Sequence, residues 1–168
     1  MPVRDSRCNS LNTIVMANTY FQIYLHFVFA VNHRHCLIDK KHKNELHKYI
    51  TGLVQNRKAK MLAVHCMPDH IHIFVGFNPS VLIADFVKEI KVESNQFING
   101  KKWIRQKFSW QEGYGVFSYS RSHIGNVISY ITNQEKHHQK RSFRQEYVTI
   151  LKKFDVAFQD RYLFDFFD

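Results

Sequence analysis

The chain is poor in cysteine: Cys8, Cys36 and Cys66 are its only three, widely spaced and never in a Cys-x-x-Cys pair. That speaks against a zinc knuckle or a disulfide framework and fits free thiols in a reducing compartment. No apolar run approaches the roughly 18 residues needed to cross a bilayer. Arg4 and Arg7 are not followed by a long apolar segment, so a signal peptide is not expected and the expected location is cytoplasmic. Internal repeats, low-complexity tracts and a linker between domains are absent, as is a phosphate-binding P-loop.

Negative charge is also scarce. Fourteen Asp and Glu face 24 Lys and Arg, a net charge of +10. The last fourteen residues run the other way, with Asp155, Asp160, Asp165 and Asp168 against Arg161. They carry −3, which leaves +13 on residues 1–154. A polyanion is the natural partner, because each phosphate neutralised by Lys or Arg releases condensed counterions. Charge alone is equally consistent with a merely basic soluble protein.

With 168 residues, 45% of them apolar, the chain is long enough to bury a core and is expected to form one domain. Residues 1–15 show no periodicity and are expected to be a loose tail ahead of a domain over 16–168. From 19 to 31 the chain is aromatic and β-branched, with Tyr20, Gln22, Tyr24 and His26 alternating against Phe21, Ile23, Leu25 and Phe27. That pattern predicts a central strand. Asp39 can cap a helix whose stripe is Leu46, Tyr49, Ile50, Leu53 and Val54. Residues 61–67 and 70–77 read as two strands around a Pro68-Asp69 turn. Ser80 is expected to cap a second helix, striped by Ile83, Phe86, Val87, Ile90 and Phe97. Residues 108–119 read as extended, bent at Gly113 and Gly115. Ile124, Val127, Ile128 and Ile131 mark a third helix, which is expected to carry Tyr130 and Gln134 on one ridge. Ser142 and Gln145 form a capping box for the last helix, striped by Tyr147, Ile150, Leu151 and Phe154. The order β-α-β-β-α-β, followed by two helices, predicts an α+β, ferredoxin-like split βαβ fold. Its antiparallel four-stranded sheet has two helices packed on one face, plus a tyrosine-bearing helix and a C-terminal helix.

Two groups of residues can carry chemistry. In Met67-Pro68-Asp69-His70-Ile71-His72-Ile73-Phe74 the alternation of a strand sends His70 and His72 to one face, their roots about 7 Å apart, where two imidazoles can converge on one cation. Taken alone, such a pair more often sits on a solvated sheet face. Tyr130 and Gln134, four residues apart, offer a phenol and an amide oxygen; an isolated tyrosine at such a place more often packs its ring and wets its hydroxyl.

Together these segments resemble the HUH single-tyrosine transposases of the smallest insertion sequences, and still more their REP-associated relatives. The likeness runs from about Thr19 to the C-terminus. It includes Trp110-Gln111-Glu112-Gly113-Tyr114-Gly115 before the fourth strand and Tyr130-Ile131-Thr132-Asn133-Gln134 on the nucleophile helix. The resemblance implies that Tyr130 is the nucleophile and that His70, His72 and Gln134 are metal ligands. It implies Mg²⁺ or Mn²⁺, although by softness histidine nitrogens suit Mn²⁺ or Zn²⁺ better than Mg²⁺. It further implies a single-stranded DNA substrate with hairpin ends, a 5′-phosphotyrosine with a free 3′-OH, and a homodimer in which one subunit's tyrosine helix can complete the partner's site. The long basic segment of larger relatives is missing.

Lys88, Lys91, Lys101, Lys102, Arg105 and Lys107, with Trp103 and Phe108 interleaved, are candidates for binding a backbone and stacking on bases. A solvated helix end and loop explains them as well. Residues 136–144 form a second basic run. Two rival functions remain at this point. One is a non-catalytic nucleic-acid-binding module on the same sheet, although the aromatic RNP1 pattern of an RRM is absent. The other is a small metallohydrolase using His70 and His72 with water as nucleophile.

Overall fold

The computed structural model describes residues 19–167, so the segment 1–15 lies outside the described residues. The order of elements is β1 (Tyr24–Ala30), α1 (Lys43–Asn56), β2 (Lys60–Cys66), β3 (His70–Gly76), α2 (Ile83–Lys101), β4 (Gly115–Tyr119), α3 (Ile124–Thr132), α4 (Gln134–His138) and α5 (Phe143–Lys153). The four strands form one antiparallel sheet in the order β2-β3-β1-β4. This is the α+β, split βαβ arrangement expected, with β1 central as its two apolar faces predict.

On one sheet face Leu25, Phe27 and Phe29 of β1 and Ile71, Ile73 and Val75 of β3 join Leu46, Ile50 and Val54 of α1 and Phe86, Val87 and Ile90 of α2 in the main core. The alternate residues of the strands face the other way. Register sets Ala30 opposite His70, Val28 opposite His72 and His26 opposite Phe74. This second face is covered by the C-terminal helices. Ala63 and Phe74 pack with Val127 and Ile131 of α3, and the His70 ring stacks on Phe143 of α5 at 3.9 Å between centroids.

Several boundaries differ from expectation, each for a local reason. Asp39 caps a single 3₁₀ turn, Lys40–His42, through Lys41 N, and α1 grows out of that turn. Ser80 does not cap α2; the cap position is Leu82, and the Ser80 amide is used by Asn78 Oδ1. The extended stretch from 108 supplies only β4, because Gly113 turns the chain at φ +77° and Trp110 makes a lone bridge to Val31. Gly115 is required by close approach: a Cβ there would sit 2.8 Å from the Tyr147 hydroxyl and 2.9 Å from the Phe117 ring. The capping box of α5 forms as read, with Ser142 Oγ accepting from Gln145 N and Gln145 Oε1 accepting from Ser142 N.

Candidate active site

β3 brings His70 and His72 to the face beneath α3–α5, and both are fully buried. The solvated sheet face that the pair alone allowed is therefore excluded: both rings point to one face, as the alternation predicted, but three helices roof it. Each ring is held through Nδ1. His70 Nδ1 bonds Asp69 Oδ1 at 2.7 Å, and His72 Nδ1 bonds His26 Nε2 of β1 at 2.9 Å. The Nε2 atoms of both rings are buried with no hydrogen-bond partner among the described residues. Burial is the main reason that the His70 pKa falls to about 4, against the pull of Asp69, so the ring is neutral near pH 7.

Tyr130 and Gln134 do not share one helix as predicted. The chain breaks at Asn133, where α3 ends and the short α4 begins. Both side chains nevertheless reach the same point, which is a residue that periodicity did not single out. Glu146 of α5, 6% exposed, accepts at Oε1 from the Tyr130 hydroxyl and from Gln134 Nε2, the latter at 2.7 Å. Its Oε2 is 2.8 Å from His138 Nε2 and 3.6 Å from Nε2 of each of His70 and His72. Burial works to raise the Glu146 carboxyl, but His72, His138 and His70 around it prevail and hold it well below the usual carboxylate range. Burial and then the Glu146 charge push the Tyr130 phenol well above its usual value. For His138 burial acts downward, but the bond to Glu146 and its charge win and raise the imidazole pKa.

Could these residues hold a cation? Among the described residues, His70, His72 and Glu146 each offer one ligand atom, all within 4.8 Å of one another. The two orphaned imidazole nitrogens and the unpaired, buried carbonyl oxygen of Gln134 are the donors that a divalent ion would satisfy. The donor set fits. All of it comes from one chain, with the Tyr130 ring edge-on to His72 at 6.0 Å. Beside the cluster opens a cleft of about 900 Å³. Tyr130, His138 and Glu146 line it together with Lys136, Lys140, Arg141 and Lys153.

The basic residues on and just after α2 are less open than the sequence suggests. Lys91 turns inward: its Nζ donates to the Gln111 and Gly113 carbonyls, and burial lowers its pKa to about 8. Lys101 pairs with Glu45. Phe108 is buried, and Trp103 stacks on His42 at 4.3 Å, so the expectation that these two rings stack on bases is corrected. Lys88, Lys102, Arg105 and Lys107 are exposed.

The fold matches the one that the transposase resemblance called for, and comparison with known proteins bears out the family. The chain belongs to the IS200-like transposases, whose family model matches residues 19–134. It is 21% identical over 119 residues to the ISDra2 transposase TnpA of Deinococcus radiodurans, covering 68% of this chain and 85% of that protein. To the transposase for insertion sequence element IS200 of Salmonella typhimurium it is 23% identical over 124 residues, 71% of this chain and 81% of the relative. Among solved structures, a transposase from Deinococcus radiodurans R1 shares the fold with a TM-score of 0.56 at 22% identity, over 70% of this chain and 95% of that one. A REP-associated tyrosine transposase bound to a REP hairpin gives 0.53 at 17% identity, over 85% of this chain and 90% of the other. The family implies DNA cleavage and transfer. Glu146 and His138 lie beyond the matched segment.

Proposed function

We propose that this chain recognises hairpin ends and cuts and rejoins single-stranded DNA through a covalent bond to Tyr130, with a divalent cation, Mg²⁺ or Mn²⁺, held by His70, His72 and Gln134. The observation that carries the reading is the convergence of the Tyr130 hydroxyl, two orphaned imidazole nitrogens and the Gln134 amide on one buried carboxylate at the side of a basic cleft. A bound divalent cation supplies Lewis-acid polarisation of a non-bridging phosphate oxygen.

The protein's own groups do the rest. Tyr130 is protonated at rest, so its proton must leave to solvent as it attacks, and Glu146 Oε1, which accepts the hydroxyl's hydrogen bond, holds the oxygen in place beside the cleft. The Tyr130 oxygen forms a bond to phosphorus, the bond from phosphorus to the 3′ oxygen breaks, and that oxygen picks up a proton. This leaves a 5′-phosphotyrosine and a free 3′-OH. The phosphoester bond is conserved, so rejoining reverses the step without ATP. Asp69 and His26 fix the two metal-facing rings, as outer partners of ligating histidines do. Lys136, Lys140, Arg141 and Lys153 along the cleft receive the backbone of the unpaired strand, and the exposed Lys102, Arg105 and Lys107 are left to contact phosphates elsewhere on the hairpin. Each subunit of a homodimer would carry one such set.

The test is incubation of the full chain and Mn²⁺ with the flanking genomic repeat as single-stranded DNA, read on a denaturing gel. A covalent adduct mapped to Tyr130, lost with chelator, is expected. Strand cleavage with no adduct would point to water as the nucleophile and end this reading.

A further inference from the structure

We propose that Glu146 is itself a ligand of the cation, bound through Oε2, so that the site is anionic rather than built from neutral donors alone. This rests on the reading that His70 and His72 hold a divalent ion, and adds a ligand to that site.

The first argument is which atoms carry protons. Asp69 Oδ1 can only accept, so the 2.7 Å contact places a proton on His70 Nδ1 and leaves Nε2 as a bare lone pair. The His26–His72 bond can run in either direction, and when His72 Nδ1 donates its Nε2 is left in the same state. Both Nε2 atoms are buried and unpartnered, and the nearest charge that they share is Glu146 Oε2. With both rings donating from Nδ1, two lone pairs and a carboxylate oxygen face one another in a buried space, an arrangement that a cation among them satisfies.

Distance is the second argument. At 3.6 Å from each nitrogen, Oε2 is too far for a hydrogen bond. It is close to the roughly 3–3.6 Å that separates neighbouring ligand atoms around an ion with bonds of about 2.0–2.2 Å. The third is that the carboxylate cannot easily turn away. Tyr130 and Gln134 hold Oε1 and His138 holds Oε2, so three donors fix its plane with Oε2 toward the histidine pair. A carboxylate also shifts the donor set toward harder ions such as Mn²⁺ and Mg²⁺, which two imidazoles alone do not favour.

The full chain is titrated with Mn²⁺, and with Co²⁺ followed by its visible absorption. Glu146→Gln keeps size and removes charge; it is expected to weaken Mn²⁺ binding more than a hundredfold and to change the Co²⁺ spectrum, with folding checked by circular dichroism. A second readout needs no variant: wild-type protein labelled with ¹³C at its glutamate carboxyls should show a Mn²⁺–¹³C electron–nuclear coupling of the size given by a directly bound carboxylate. A Glu146→Gln variant with wild-type Co²⁺ absorption, or labelled protein without that coupling, overturns the proposal. His72→Ala separates the two claims. If it binds Mn²⁺ as tightly as wild type, the histidine site itself is wrong; if it loses binding while Glu146→Gln does not, only the role of Glu146 falls.

Discussion

Replacing Tyr130 by phenylalanine removes one oxygen, and two things depend on that atom. Cleavage should vanish, because the ring stays and only the proposed nucleophile goes. A variant that still nicks at a normal rate would falsify the assignment. Stability should also fall, by about 1–3 kcal/mol, since the hydroxyl donates to a buried carboxylate; chemical denaturation measures this. The histidines behave differently. Because both are fully buried and His70 stacks on Phe143, His70→Ala leaves a cavity as well as removing a proposed ligand. Its melting temperature should drop even without metal, whereas an open sheet face would have tolerated the change.

At this scale part of the site was legible and part was not. His70 and His72 announce themselves by alternation in a strand, and Tyr130 and Gln134 by their spacing. Glu146 does not, because a glutamate in an amphipathic helix is ordinarily assigned to solvent. The signal was there in its position. Phe143, Glu146, Tyr147, Ile150 and Leu151 form one buried stripe, so Glu146 is a charge standing in an apolar row. His26 was similarly visible only as a polar residue on a strand whose neighbours turned out to be covered.

Among the elements, α5 decides most, since it delivers Glu146 and lies over the β3 histidines. Its start is held by the Ser142–Gln145 box. Ser142→Ala should cost about 1 kcal/mol in denaturant melts, with the loss at the helix N-terminus, two turns or fewer from the carboxylate. Gly115→Ala should be worse, about 1–3 kcal/mol, because the new methyl meets Tyr147 of α5 and the Phe117 ring. Melts showing no change in either variant would mean that α5 is not anchored as described. The strands and the first two helices were readable from period and stripe. The α3–α4 break was not, because Asn133 interrupts a pattern whose apolar stripe ends at Ile131 and carries no periodic residue to mark the restart.

For the whole molecule, charge and burial set two bulk responses. Affinity for single-stranded DNA should fall as salt rises, log K declining by about 0.7 per phosphate contacted for each decade. A binding constant flat between low and physiological salt rules out a phosphate-dominated interface. The second response is to acid. Burial lowers His47, His65 and His70 to about 4, so below the unfolded value of 6.5 the unfolded chain takes up protons that the folded one refuses. Their stabilisation is therefore full above 6.5 and lost as pH falls toward 4. His138, raised, opposes this by losing its contribution as pH rises through its folded value. His26, also lowered by burial, makes four against one, so the melting temperature should drop steadily from pH 6.5 to 4.

That Tyr130 reaches the histidines of its own chain, through Glu146 and edge-on to His72, has a genetic meaning. On the proposed chemistry, two inactive alleles, one lacking His70 and the other lacking Tyr130, would each spoil the same copy of the site. Mixing their products should rescue nothing, and neither should poison the wild-type protein beyond competing for its DNA.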